Sequence, residues 1–146
     1  MKKNIVILLG ICLLFLCSCN RNIEYPFMHS EDEISCISIA AIEVSDSTNL
    51  QIAECKTIHD INGFLQMFRG VKCSTWWGDP IGITEDCYAI KVEYHNGEYE
   101  LIAWNGKAVY QNNRGLRNYR GYHIFDEEEF NKLVSRSTDG SLCYDK

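Results

Sequence analysis

The sequence predicts an α+β fold: an antiparallel sheet with helices packed on one face, in the order ββαβββα. Three observations carry that expectation. Two Asn-Gly pairs, at 96–97 and 105–106, separate alternating runs over residues 88–111 and mark a three-stranded meander. Residues 34–58 hold two β-branched runs joined by the turn cluster Ser45-Asp46-Ser47-Thr48, which reads as a hairpin. Two further segments carry apolar residues at helical spacing.

Each element has its own justification. Ile34 to Val44 is rich in Ile and Val and reads as a strand. Leu50 to Ile58 alternates at Leu50 and Ile52 and then weakens. Ile61, Phe64, Leu65 and Phe68 fall at i, i+3, i+4 and i+7, the stripe of an amphipathic helix. Thr57 or His59 is placed to cap its start. Arg69 suits its negative end, and Gly70 suits a left-handed stop. Gly63 inside it costs about 1 kcal/mol relative to Ala. In the meander, two-residue loops would set Val92 opposite Leu101 and Ala103 opposite Ala108. Ile90, Val92, Tyr94, Tyr99, Leu101, Ala103, Ala108 and Tyr110 would then share a core face. Lys91, Glu93, His95, Glu98, Glu100 and Lys107 would face solvent. The last helix starts at Asp126, with Glu129 three residues on and Phe125 and Phe130 placed as a hydrophobic staple. Its glutamates complement the helix dipole, which accounts for the Asp126–Glu129 acidic run without a metal. A short strand at 122–125 precedes it.

The N-terminus points to location. Lys2 and Lys3 precede an apolar run from Ile5 to Leu16, too short to anchor across a bilayer and of the right length for a secretory signal. The run ends Leu16-Cys17-Ser18-Cys19, which resembles the bacterial lipobox. The resemblance spans residues 1 to about 22. It implies cleavage after Ser18, diacylglycerol on the Cys19 sulfur and a further acyl chain, such as palmitate, on the new amino terminus. Cys17 fits less well, since Leu16 would then precede the cut. Each buried methylene contributes about 0.8 kcal/mol, so two or three chains hold where one does not. The expected organisation is a signal peptide at 1–18, a tether at 19–32 and one α+β domain at 33–146. The order of elements is similar to small bacterial lipoprotein domains in which a hairpin and helix precede a meander and a last helix. That likeness brings no catalytic residues with it.

Charge and cysteine usage agree with export. The chain carries a formal charge of −6, with 14 basic and 20 acidic residues. Loss of Lys2 and Lys3 makes the mature chain more acidic still, a poor general binder of nucleic acid or anionic lipid. Attachment to the cell membrane or outer membrane, on the periplasmic side, therefore rests on Cys19. Beyond it the chain keeps Cys36, Cys55, Cys73, Cys87 and Cys143. No Cys-x-x-Cys occurs, so a zinc-ribbon or thioredoxin-type reading has no support. The pairing weighed is Cys73 with Cys87, a disulfide closing about 15 residues and contributing on the order of 3 kcal/mol.

No nucleophile elbow, phosphate loop, cofactor motif or close pair of histidines appears. Three partner surfaces are expected instead. Trp104, with Ala89, Ile102 and Val109, would make an apolar patch on the polar face of the meander. Trp76 and Trp77 sit beside the turn Gly78-Asp79-Pro80. Arg114, Arg117 and Arg120 place guanidinium forks, suited to carboxylate or phosphate, in a glycine-containing loop of an acidic protein. The expectation is a lipid-anchored envelope interaction module binding a protein, glycan or other cell-wall component, with no catalysis, no cofactor and no nucleic acid. Alternatives are an inhibitor or immunity protein acting on an exported enzyme, and an envelope enzyme using Cys87 or His123.

Overall fold

A computed structural model describes residues 23–46, 49–75, 83–104, 106–110, 116–117 and 123–138. At 46, 49, 54, 55, 106–110 and 116–117 it describes the backbone alone. A 3-10 turn at Glu31–Glu33 leads into β1 (Ile34–Asp46) and β2 (Asn49–Ile58), then α1 (Ile61–Arg69). There follow β3 (Cys73–Thr75), β4 (Cys87–Tyr94), β5 (Tyr99–Ala103), β6 (Gly106–Tyr110), β7 (Leu116–Arg117), β8 (His123–Phe125) and α2 (Glu127–Ser137). The fold is α+β. Its main sheet is antiparallel and six-stranded, in the order β2-β1-β4-β5-β6-β7. A second small sheet, which the sequence did not announce, pairs β3 with β8.

The meander forms with a register different from the expected one. Val92 lies opposite Glu100 and Lys91 opposite Leu101. The loop holds three residues, His95, Asn96 and Gly97. Tyr94 N donates to Glu98 O and Gly97 N donates to Tyr94 O, both at 2.9 Å. Gly97 takes φ +83°, the left-handed position that closes such a loop. A slip of one residue turns every side chain of β5 over. So Tyr99, Leu101 and Ala103 face away from Ile90, Val92 and Tyr94, and Glu100 turns inward. The second hairpin differs too: Ala103 pairs with Gly106 and Leu101 with Ala108, so residues 104 and 105 make the connection.

Both faces of the main sheet are therefore apolar. The first carries Ile37 and Ile39 of β1, Ile90, Val92 and Tyr94 of β4, and Ile102 of β5. Both helices pack in that cluster, through Phe64, Leu65 and Phe68 of α1 and Phe130, Leu133 and Val134 of α2. Each such side chain contributes about 1.5–3 kcal/mol on burial. The second face is lined by Ala40, Ile42, Ala89, Leu101 and Ala103, with Ile83 packed on it. Lys91, expected in solvent, is 9% exposed on this side, its ammonium 2.8 Å from Glu93 and 5.0 Å from the centre of the Tyr99 ring. The weakening alternation in β2 has a physical cause. Ile39 pairs with Lys56 and Ala40 with Glu54, which leaves Cys55 as an extra residue. That bulge sends Ile58 to the helical face while Leu50 and Ile52 stay on the other.

The helix ends follow side-chain chemistry. α1 is capped by Asp60, not by Thr57 or His59: its Oδ1 accepts from Gly63 N at 2.9 Å. Gly63 is there for room, since a Cβ at that position would lie 2.2 Å from Asp60 Oδ2. Gly70 stays right-handed at φ −74°, so the expected left-handed stop does not occur. α2 is capped by Asp126 as expected, Oδ1 accepting from Glu129 N at 3.0 Å, with Phe125 and Phe130 rings 5.3 Å apart. The return bond of the capping box is diverted. Asp126 N donates to Lys72 O, and the Glu129 carboxylate binds Lys72 through both its backbone N and its ammonium.

Candidate functional site

The residues expected as a tether are built into the domain from Ile23 onward. Ile23 N donates to Cys73 O at 3.0 Å. Tyr25 is 6% exposed, its ring against Phe27, Phe68 and Phe125. The reason is Glu100, turned inward by the three-residue loop and fully buried. Its carboxylate accepts from Tyr25 OH and from Met28 N, each at 2.9 Å, and from Tyr94 OH in a short bond. Burial and the Glu100 charge push both tyrosines well above their ordinary range, so both hydroxyls stay protonated donors. Next along the segment, His29 Nε2 lies 2.6 Å from Glu98, and Glu24 and Glu31 pair with Arg69. The segment is thus strapped across the helical side of the sheet by one buried carboxylate and a row of surface pairs.

Three adjoining depressions, sharing Met67 and then Gly70 and Val71, form a furrow along α1 that ends at this segment. At one end, Ile58, His59, Phe64, Met67 and Ser137 line a depression of about 370 Å³. Past Met67 it continues over Gly70 and Val71, beside Lys132 and Arg136. It ends at Ile23, Glu24, Arg69 and Lys72. Met67, at 48% exposure, is the one large apolar side chain left exposed among the described residues.

The residues singled out from sequence distribute as follows. Cys19, with the whole 1–22 segment, lies outside the described residues, as do Trp76, Trp77, Arg114 and Arg120. Arg117 lies in β7, the last strand of the main sheet among the described residues, its backbone opposite Val109. Trp104 packs partly buried against the helical-side core, and its carbonyl accepts from Phe125 N at 2.9 Å. The apolar patch expected around it does not exist. Ala89 and Ile102 belong to opposite faces and both are fully buried.

Cys73 and Cys87 are not bridged. Cys73 is buried in the helical-side core, whereas Cys87, opposite Ile42, packs on the other side of the sheet. Burial pushes each thiol up to about 11, with Glu85 and Asp86 adding to the effect at Cys87. His123 lies on the helical side, its ring 5.8 Å from that of Tyr25. The sheet therefore separates Cys87 from His123. Among the described residues no three His, Cys, Asp or Glu side chains gather as a metal site, and no helix is long and apolar enough to cross a membrane.

Sequence reasoning missed Glu100 and Tyr25. The available signal was the apolar density of Ile23-Glu24-Tyr25-Pro26-Phe27-Met28, too high for a free tether. Compared with protein families, with curated proteins and with solved structures, the chain finds no match in any of the three.

Proposed function

We propose that this chain is a lipid-anchored interaction module of the bacterial cell envelope, held by acyl chains on Cys19 and facing the periplasm. The observation that carries the reading is Leu16-Cys17-Ser18-Cys19 at the end of a twelve-residue apolar run behind Lys2 and Lys3. It is supported by Ile23, four residues after Cys19 in sequence, being already bonded into the domain through Cys73 O. Partner contact falls to the arginine segment, Arg114, Arg117 and Arg120, and to Trp76 and Trp77. Among the described residues Arg117 sits on the last strand of the sheet, and that edge is the one assigned to a partner. Guanidinium forks there suit carboxylates or phosphates of a wall component or an acidic protein surface. Trp104 is a packing residue in this reading.

The test is affinity capture from detergent-solubilised membranes. The wild-type chain is compared with a variant carrying Arg114→Ala, Arg117→Ala, Arg120→Ala, Trp76→Ala and Trp77→Ala. The partner should be lost while near-UV circular dichroism stays native-like. A partner retained at wild-type yield would remove these residues from the interface. The identity of the captured molecule separates an exported enzyme, as an inhibitor or immunity protein would bind, from a wall component.

A further inference from the structure

We propose that the α1 furrow is the face of the domain that lies against the bilayer, with anionic phospholipid headgroups as its partner. The inference rests on the anchoring reading above and adds to it an orientation.

Chain length supplies the first argument. Only four peptide steps separate Cys19 from Ile23, which spans at most about 14 Å when fully extended. A domain of this length is roughly 35 Å across. The leash is therefore much shorter than the body it holds. Whichever face carries Ile23 must sit at the headgroups, and Ile23 lines one end of the furrow. Its position is fixed, because its N–H is bonded to Cys73 O and Tyr25 is bonded to Glu100 two residues on.

Charge supplies the second argument. Six Lys and Arg side chains are described, and five of them line the furrow: Lys56, Arg69, Lys72, Lys132 and Arg136. The sixth, Lys91, is nearly buried on the other side of the sheet. Of fifteen described acidic side chains only Glu24, Asp60 and Glu129 line it. Glu24 and Glu31 hold Arg69, Glu129 holds Lys72 and Glu128 holds Lys132, so the furrow is the face on which an acidic protein's charge is locally balanced and the one an anionic surface repels least. The long Lys and Arg stems can lie along the furrow with their charges at phosphate level.

Apolar exposure supplies the third. Met67, the one exposed large apolar side chain among the described residues, stands in the middle of the furrow. An unbranched thioether suits the disordered headgroup–acyl boundary, where no fixed shape is presented. The arginine-bearing edge strand β7 is at the opposite edge of the sheet from β2, which carries Lys56. This orientation leaves that edge open to a partner.

The test uses the full-length, membrane-extracted protein inserted into preformed vesicles of phosphatidylglycerol and phosphatidylethanolamine. A membrane-impermeant amine-acetylating reagent is added, and modification of Lys56, Lys72 and Lys132 is read by mass spectrometry against the same protein in non-ionic detergent. The expected result is about fivefold slower modification in vesicles, the change that follows from attraction of one lysine to an anionic surface. Protection should shrink in vesicles of phosphatidylcholine alone and in a Lys132→Glu, Arg136→Glu variant. Acylated protein that floats with the vesicles but whose lysines react as in detergent would overturn the orientation and leave the anchor standing. Protein without acyl mass that fails to float would overturn the anchor, and the orientation with it. Protection seen only in native membranes, and not in pure lipid, would assign the furrow to a protein partner instead.

Discussion

Replacing Glu100 with Ala removes the one acceptor shared by Tyr25 OH, Tyr94 OH and Met28 N. The site is fully buried, so water cannot readily take over. A hydrogen bond to a charged group contributes about 1.5–3 kcal/mol, and a buried donor left without an acceptor costs about 1–3 kcal/mol. Three donors lose their acceptor at once and a cavity is added, so Glu100→Ala should destabilise by about 4 kcal/mol or more. Glu100→Gln keeps the shape and one carbonyl oxygen and should cost about half as much. The damage should concentrate on residues 23–30, because two of the three donors belong to that segment. Urea unfolding gives the magnitude, and limited proteolysis gives the place: cleavage near Tyr25 and Phe27 should appear before global unfolding. Adding Tyr25→Phe and Tyr94→Phe to a Glu100→Leu chain should recover part of the loss, since the stranded hydroxyls go with the carboxylate. A Glu100→Ala chain within about 0.5 kcal/mol of wild type, with residues 23–30 still protected, would refute the buried clamp.

Three further outcomes follow from local features. Gly97→Ala should cost about 1 kcal/mol by calorimetry, because φ +83° strains any side chain there although the surrounding space is open. Asp126→Ala should cost about 1 kcal/mol through loss of the α2 cap, measurable as a lower urea midpoint with unchanged slope. Stability should fall as pH rises from about 9 through about 11. Cys73 and Cys87 hold their protons to about 11 when folded and release them near 9 when unfolded, so their contribution is complete below 9 and is lost across that interval. A Cys73→Ala, Cys87→Ala chain should show a shallower decline in pH-dependent urea titrations.

What could be read from sequence was what local chemistry decides. The α2 start was legible because Asp126, Glu129, Phe125 and Phe130 make contacts only a few residues apart. The α1 stripe was legible for the same reason, although its cap went to Asp60, which Gly63 accommodates. The meander's existence was legible but its register was not. Asn96-Gly97 serves a two-residue turn and a three-residue loop alike, since Gly97 is left-handed in both. That one-residue choice decided whether Glu100 met solvent or the core. The β3–β8 pair joins segments 50 residues apart and left no periodic trace in strands of three residues. Of the candidate site, the arginine and tryptophan segments were visible as composition. The furrow was not, because its cations come from β2, from α1 and the turn after it, and from α2, and only folding gathers them.

The anchor is tested most directly by the intact mass of the protein taken from detergent-solubilised membranes, after alkylation of its thiols. The account predicts a chain beginning at Cys19 that carries diacylglycerol and an amide-linked acyl chain, with Cys73 and Cys87 both alkylated once the protein is unfolded without reduction. A chain that keeps its leader, or one cleaved without added acyl mass, would contradict it.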